Sequence, residues 1–303
     1  MLNLPIDFTD QDNILFLGIG GGFDIYGAIP IFTHPSLEGK KVTFANLNSR
    51  AKNFGLVESV GDTPEERLAD WLQKNGHNSK VYALPRCGVN QMIGYLETIK
   101  TENNIKSIVC VDGGVDSLMT GEEEGAGTII EDTITMMAVL KIKHVVNFLM
   151  CIGFGTEMEE GVCHHLALEN IAKISEIGGF LGSCSLMTEN SQYEAYKDAC
   201  EYGWKDVRKS HIHTKVISAV EGKFGDENLY DGIDAQVGGV KVMNYTNPLM
   251  GIMWFFDLGK VMMRNKLATP FENTNTATDV LMVYRQMIDQ LAKTKRARKP
   301  IPL

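Results

Sequence analysis

Apolar residues along the chain fall into short, nearly unbroken runs that stop at Gly, Asp, Asn or Pro. The clearest are "NILFLG" (13–18), "KVTFANLN" (41–48), "KVYALP" (80–85), "KSIVCVD" (106–112) and "HVVNFLMCIG" (144–153). "GFLGSCSL" (179–186) is a weaker sixth run and "GVKVMNY" (239–245) a seventh. Between them, apolar residues return at helical spacing. "TPEERLADWLQKNG" (63–76) opens on Thr63 and Pro64, places Glu65 and Glu66 in a first turn and stops at Gly76. Helices are also expected within 88–103, 130–142, 160–178, 191–206, 210–225 and 276–295. Strands that are apolar throughout are buried on both faces, and their alternation with helices makes a mostly parallel sheet. The expected fold is α/β, a Rossmann-like doubly wound sheet with helices on both faces and C-terminal helical embellishments. No repeat and no Pro-, Gly- or Ser-rich linker divides the 303 residues. This implies a single domain, with a core over 13–190 and a helical extension over 191–303 packed on it.

Two of the predicted strands end in loops with chemistry. The first runs into "GIGGGFDIYGAIPIF" (18–32), a glycine-rich turn whose N–H groups suit an anion at a helix N-terminus. Gly18, Gly20, Gly21 and Gly22 are the candidate anion holders. Asp24 would repel a phosphate there. It either points to a metal or a substrate hydroxyl, or caps the helix. The fourth strand runs into "VDGGVDSLMTGEEEGAGTIIEDT" (111–133), with seven carboxylates, five glycines and no Lys or Arg. In a doubly wound sheet of order 3-2-1-4-5 these two loops line one crevice. Asp112 and Asp116 lead the candidates for proton transfer and, with Glu131, for a metal; Asp132 is next. Gly113 and Gly114 would line the same crevice. The fifth strand adds Gly155, Thr156 and Glu157, the last as an acid/base residue. Arg86 and Arg208 are candidate anion clamps. Crowded carboxylates call for a cation or a shared proton, so Mg²⁺ is the expected cofactor.

The alternative is NAD(P). Gly18 and Gly20 fit the dinucleotide fingerprint, but Phe23 stands at its third glycine. The second strand offers Asn46 and Asn48 where an acidic ribose ligand is usual. No P-loop and no nucleophile elbow is present.

Composition narrows the field. A net charge of −9 argues against a nucleic-acid footprint. The basic tail "KTKRARKPIPL" (293–303) reads as solvated. Six cysteines without a Cys-x-x-Cys pair, two of them in apolar runs, fit a reducing compartment. With no signal peptide and no apolar run of about 18 residues, a cytoplasmic protein off the membrane is expected. His164, His165 and "SHIH" (210–213) lack zinc spacing. The Met-rich apolar segment 248–263 reads as core or subunit interface, which leaves self-association open. The expected partner is a small-molecule substrate.

"GIGGGFD", "VDGGVDSL…EEG…IED", "GFGTE", "SAVEGKFG" and "NPLMGIMWFFDL" together resemble an uncharacterised prokaryotic family known only as a domain of unknown function (1152-like). The likeness covers most of the chain. It implies a Rossmann-like single domain and no particular activity. The function expected from the residues is an enzyme, transferase or hydrolase, for a nucleotide or a phosphorylated or carboxylated metabolite. An atypical NAD(P) enzyme and a non-catalytic metabolite sensor are the alternatives.

Overall fold

A computed structural model describes residues 2–57, 61–205, 207–230, 236–237, 240–241 and 244–301. The apolar runs form strands β1 (Asn13–Gly18), β2 (Lys41–Leu47), β4 (Lys80–Leu84), β5 (Ser107–Gly113), β6 (Val146–Ile152) and β7 (Phe180–Ser185). A two-residue edge strand, β3 (Gly55–Leu56), pairs antiparallel with β4. The final strand, β8 (Ile252–Asp257), comes from the Met-rich segment. The sheet runs β3-β4-β2-β1-β5-β6-β8-β7. From β4 to β6 all neighbours are parallel.

Alternate side chains of each strand enter two separate cores. Leu15 and Leu17 of β1, Ile108 and Cys110 of β5, and Leu149 and Cys151 of β6 face one side. Ile14 and Phe16, Val109 and Val111, and Met150 and Ile152 face the other. The first core is covered by α3 (Val89–Asn103), α4 (Ile129–Lys141), α5 (His164–Glu176) and α8 (Ala277–Leu291). The second is covered by α2 (Pro64–Lys74), α6 (Ser191–Gly203) and α7 (His211–Val220). Helix α2 begins as the sequence indicates: the Thr63 hydroxyl accepts the Glu66 N–H, and the Glu66 carboxylate accepts the Thr63 N–H. Among the described residues no helix is long and apolar enough to cross a membrane.

The C-terminal part is not helical throughout. Strand β8 pairs antiparallel with both β6 and β7, matching Trp254 to Cys151 and to Ser183. Met253, Phe255 and Phe256 are fully buried within the sheet. The middle of the segment 248–263 is therefore internal structure of the sheet, and its exposed large apolar residues are Leu249 and Met263. Part of the seventh predicted strand, 239–245, lies outside the described residues, and its described residues do not join this sheet. Its described parts make only two-residue pairings, Val240–Lys241 with Gln236–Val237 and Tyr245–Thr246 with Gly225–Asp226. Alternation alone does not place a strand; "IMWFFD", apolar throughout, fits a position between two covered faces.

Phe255→Ala removes a fully buried ring between β6 and β7 and is expected to cost about 3–5 kcal/mol. The midpoint and slope of urea unfolding check this.

Candidate functional site

Strand β1 lies between β2 and β5, so its C-terminal end is the switch point of the sheet. Gly18 is in register with Val111, and the Ile19 N–H continues the pairing to the Val111 carbonyl at 3.1 Å. The two loops singled out from the sequence therefore do leave the sheet side by side.

The glycine turn closes on the chain's own carboxylate. Gly21 (φ +98°) and Gly22 (φ +60°) take left-handed backbone that suits glycine. This folds the loop back so that the Gly20 N–H donates to Asp24 Oδ2 at 2.8 Å. The chain then enters a five-residue 3₁₀ turn (Asp24–Ala28) and the four-residue α1 (Ile29–Phe32). A donor expected to cradle an anion is thus already occupied, and the helix that follows the turn is only four residues long. Asp24 neither caps a helix nor stands free; it ties the turn.

The glycines of the acidic loop have a packing reason. A Cβ on Gly113 would lie 2.8 Å from Asp24 Oδ1. One on Gly114 would collide with the Glu157 carboxylate, and one on Gly127 with Asp116. One on Gly20 would lie 2.8 Å from Asp132 Oδ1 and 3.0 Å from Asp24 Oδ2. Each missing side chain leaves room for a carboxylate. Five of these, Asp24, Asp112, Asp116, Asp132 and Glu157, converge and are at least nine-tenths buried.

Their hydrogen bonding is uneven. Asp112 accepts from the Ser117 hydroxyl and, at 3.3 Å, from the Ser117 N–H. Asp116 Oδ2 accepts from the Thr128 N–H and hydroxyl, which closes the loop on itself. Glu157 Oε2 accepts from the Val115 N–H at 2.7 Å. Asp132 accepts nothing: both its oxygens are buried without a partner, and so is Asp116 Oδ1. The nearby buried ammonium of Lys215 is engaged with Glu159 at 2.8 Å and with the Thr156 carbonyl at 2.6 Å.

Burial, reinforced by the charge of Asp116, raises Asp24 to about 8. The same causes push Asp112, Asp132 and Glu157 well above the carboxylate range. Glu160, at the edge of the group, is raised by burial to about 7.

Asp24, Asp112 and Glu157 line a crevice of about 560 Å³ together with Gly20, Gly21, Gly22 and Thr128. Asp116 and Asp132 do not line it themselves; they sit against Thr128 and Gly20, which do. Its opposite side is built from the starts of α2 and α7 and carries Arg50 and Arg208, both exposed. Glu65, in the first turn of α2, reaches the end of β2 and accepts from both Asn46 and Asn48. Burial lifts Glu65 to about 7. His213, in the first turn of α7, is fully buried, its Nε2 2.7 Å from the Phe23 carbonyl and its Nδ1 2.6 Å from the Tyr196 hydroxyl. A carbonyl only accepts, so Nε2 carries the proton and Nδ1 accepts from Tyr196. The ring thereby holds the residue before Asp24 in place.

Several predicted residues lie elsewhere. Gly18 packs against Asn46, whose Nδ2 donates to the Gly22 carbonyl at 3.0 Å, so Asn46 braces the turn from behind. Arg86 does not face the crevice; it pairs with Glu131 at 3.1 Å, half-exposed. That contact takes Glu131 out of the carboxylate group and leaves Asp132, one residue on, inside it. Gly155 lies against His164, and the Thr156 hydroxyl turns back to the Gly153 carbonyl at 2.7 Å. Sequence reasoning missed Glu65, Glu160, Thr128 and Arg50. Glu65 carried a usable signal, because the capping box occupies Glu66 and leaves its neighbour to turn toward the sheet.

A family model described as a protein of unknown function (DUF1152) matches residues 61–288, well over half of the chain. The chain belongs to that family. The matched region of this DUF1152 protein contains the acidic loop, Glu157 and both helix starts, while the glycine turn precedes it. No curated protein and no solved structure matches the chain. Among the described residues no three His, Cys, Asp or Glu side chains already stand in metal-holding geometry.

The titrating groups make two effects measurable. Burial lowers His213 from 6.5 to about 4, so the fold binds the neutral ring. Its contribution is complete above the unfolded value and is lost as pH falls toward 4, on the order of 3 kcal/mol in all. Denaturation of wild type and His213→Gln at pH 7 and pH 4 should show the gap between them closing. The raised carboxyls act in the opposite direction, since they favour the folded state while protonated and cost stability as pH rises toward 8. Asp132→Asn without divalent cations should therefore be more stable than wild type at pH 8, and the difference should shrink at pH 5.

Proposed function

We propose that this DUF1152 protein is an enzyme, a transferase or hydrolase, for a nucleotide or a phosphorylated or carboxylated metabolite bound in the crevice. The observation that carries the reading is Asp132, a buried carboxylate with neither oxygen partnered. Such a group stays neutral or meets a cation.

Asp132 and Asp116 Oδ1 would hold a Mg²⁺ ion, with Asp24 close by. Mg²⁺ keeps several waters and takes one or two carboxylates together with substrate oxygens, so a preformed cage is not required. Bound there, it would offset the developing charge on a transferred group. Glu157, held neutral by burial and fixed by the Val115 N–H, has the character of a proton donor to a leaving group. The anionic end of the substrate would lie toward Arg50, Arg208 and the start of α7.

A thermal-shift screen against nucleotides, NAD(P) and sugar phosphates, with and without Mg²⁺, tests this. Mg²⁺ at one hundred times its Kd should add about 2.7 kcal/mol of stability. Asp132→Asn should abolish that gain while leaving the protein folded. A metal-independent shift with NAD(P) alone would replace the reading with the dinucleotide one. No shift with any of them would remove it.

A further inference from the structure

The basic tail lies on the acidic loop. Arg296 pairs its backbone with the loop: its N–H donates to the Glu122 carbonyl at 2.6 Å, and its carbonyl accepts from the Glu124 N–H at 3.0 Å. Its guanidinium donates to Glu123 Oε1 at 2.8 Å and Asn170 Oδ1 at 2.9 Å, and pairs with Glu169 at 3.0 Å. Beyond it, the Arg298 N–H reaches the Glu124 carboxylate at 3.3 Å. Lys299 donates its N–H to Cys163 Sγ and accepts the thiol proton on its carbonyl, at 3.4 and 3.3 Å.

Glu123 is the hub under this contact. Its buried carboxylate accepts from the Thr120 N–H and hydroxyl, the Gly121 N–H and the Asn170 amide. Among the described residues its ion-pair partner is Arg296. The loop around this hub begins at Asp116 and ends at Thr128, which bond to each other, and Thr128 lines the crevice. Removing Arg296 would strand a buried charge at the centre of the loop that positions Asp116. Residues 293–299, by contrast, are held by a few bonds at a partly exposed guanidinium, the kind of contact that opens locally.

We propose that residues 293–299 form a releasable strap that orders the 116–128 loop. Arg296 is a positioning residue that acts through Glu123, and release of the strap lowers cation affinity at Asp116 and Asp132. The affinity effect rests on the cation reading above; the ordering of the loop does not.

The test uses the full chain with a site-specific protease sequence inserted between residues 292 and 293, cut after folding. Amide exchange in 116–128 and Mg²⁺ titration by calorimetry are compared before and after cutting and desalting. The cut protein should still melt cooperatively, exchange in 116–128 at least about tenfold faster and bind Mg²⁺ about tenfold more weakly. A synthetic peptide of residues 293–303 should restore both. Full-length Arg296→Gln should behave as the cut protein, and Arg296→Lys should fall between, because an ammonium supplies charge without the planar fork. Unchanged exchange in 116–128 after loss of the tail would overturn the strap, as would a tail still bound after desalting in high salt. Absence of Mg²⁺ binding in the uncut chain would sink the cation reading and the affinity effect together, leaving exchange to decide the ordering role.

Discussion

Like charges buried side by side must be neutralised, by protons or by a cation. Much of the crevice end of this protein can be understood from that constraint. Asp24, Asp112, Asp116, Asp132 and Glu157 come from three strand ends and one helix, and the sheet order brings them together. The glycines around them leave the volume that five carboxyls need. Backbone and hydroxyl donors satisfy some oxygens and leave those of Asp132 without partners. Counter-charges are held apart: Lys215 is engaged with Glu159, and Arg296 with Glu123.

The scaffold behind the carboxylates keeps this arrangement in place. Neutral His213 fixes Phe23 from one side, and Asn46 fixes Gly22 from the other. Both supports come from rigid elements, the first turn of α7 and the end of β2. The turn between them is therefore shaped by its surroundings more than by its own sequence. A glycine run that looks like an anion cradle becomes a holder for Asp24 once these two contacts are in place.

What was legible in the sequence was local or set by general topology. Six of the seven apolar runs are strands of the sheet, because short apolar stretches bounded by turn residues fit a sheet covered on both faces, and β1 and β5 are neighbours because doubly wound sheets reverse there. Asp112, Asp116 and Glu157 could be chosen because strand ends and the loops just beyond them converge at the switch point. The errors came from side-chain direction and from distance along the chain. Nothing local says that Asn46 points behind the turn, or that Glu131 leaves the site while Asp132 enters it. The contact between Arg296 and Glu123 spans 173 residues, and a basic tail reads as solvated until the loop beneath it is known. Strand β8 was hidden for the same reason, since its partners lie far earlier in the chain.

That strand has a consequence for how the chain is made. β6 and β7 are both complete by residue 185, yet they never pair with each other; β8 stands between them and is not reached until residue 252. During synthesis the growing sheet thus waits on two strands with open hydrogen-bonding edges, each able to pair with the wrong neighbour. The β6 edge bears a strand whose second half, Leu149 to Ile152, is fully buried in the finished molecule. Closure of the sheet is a late, long-range event in this chain.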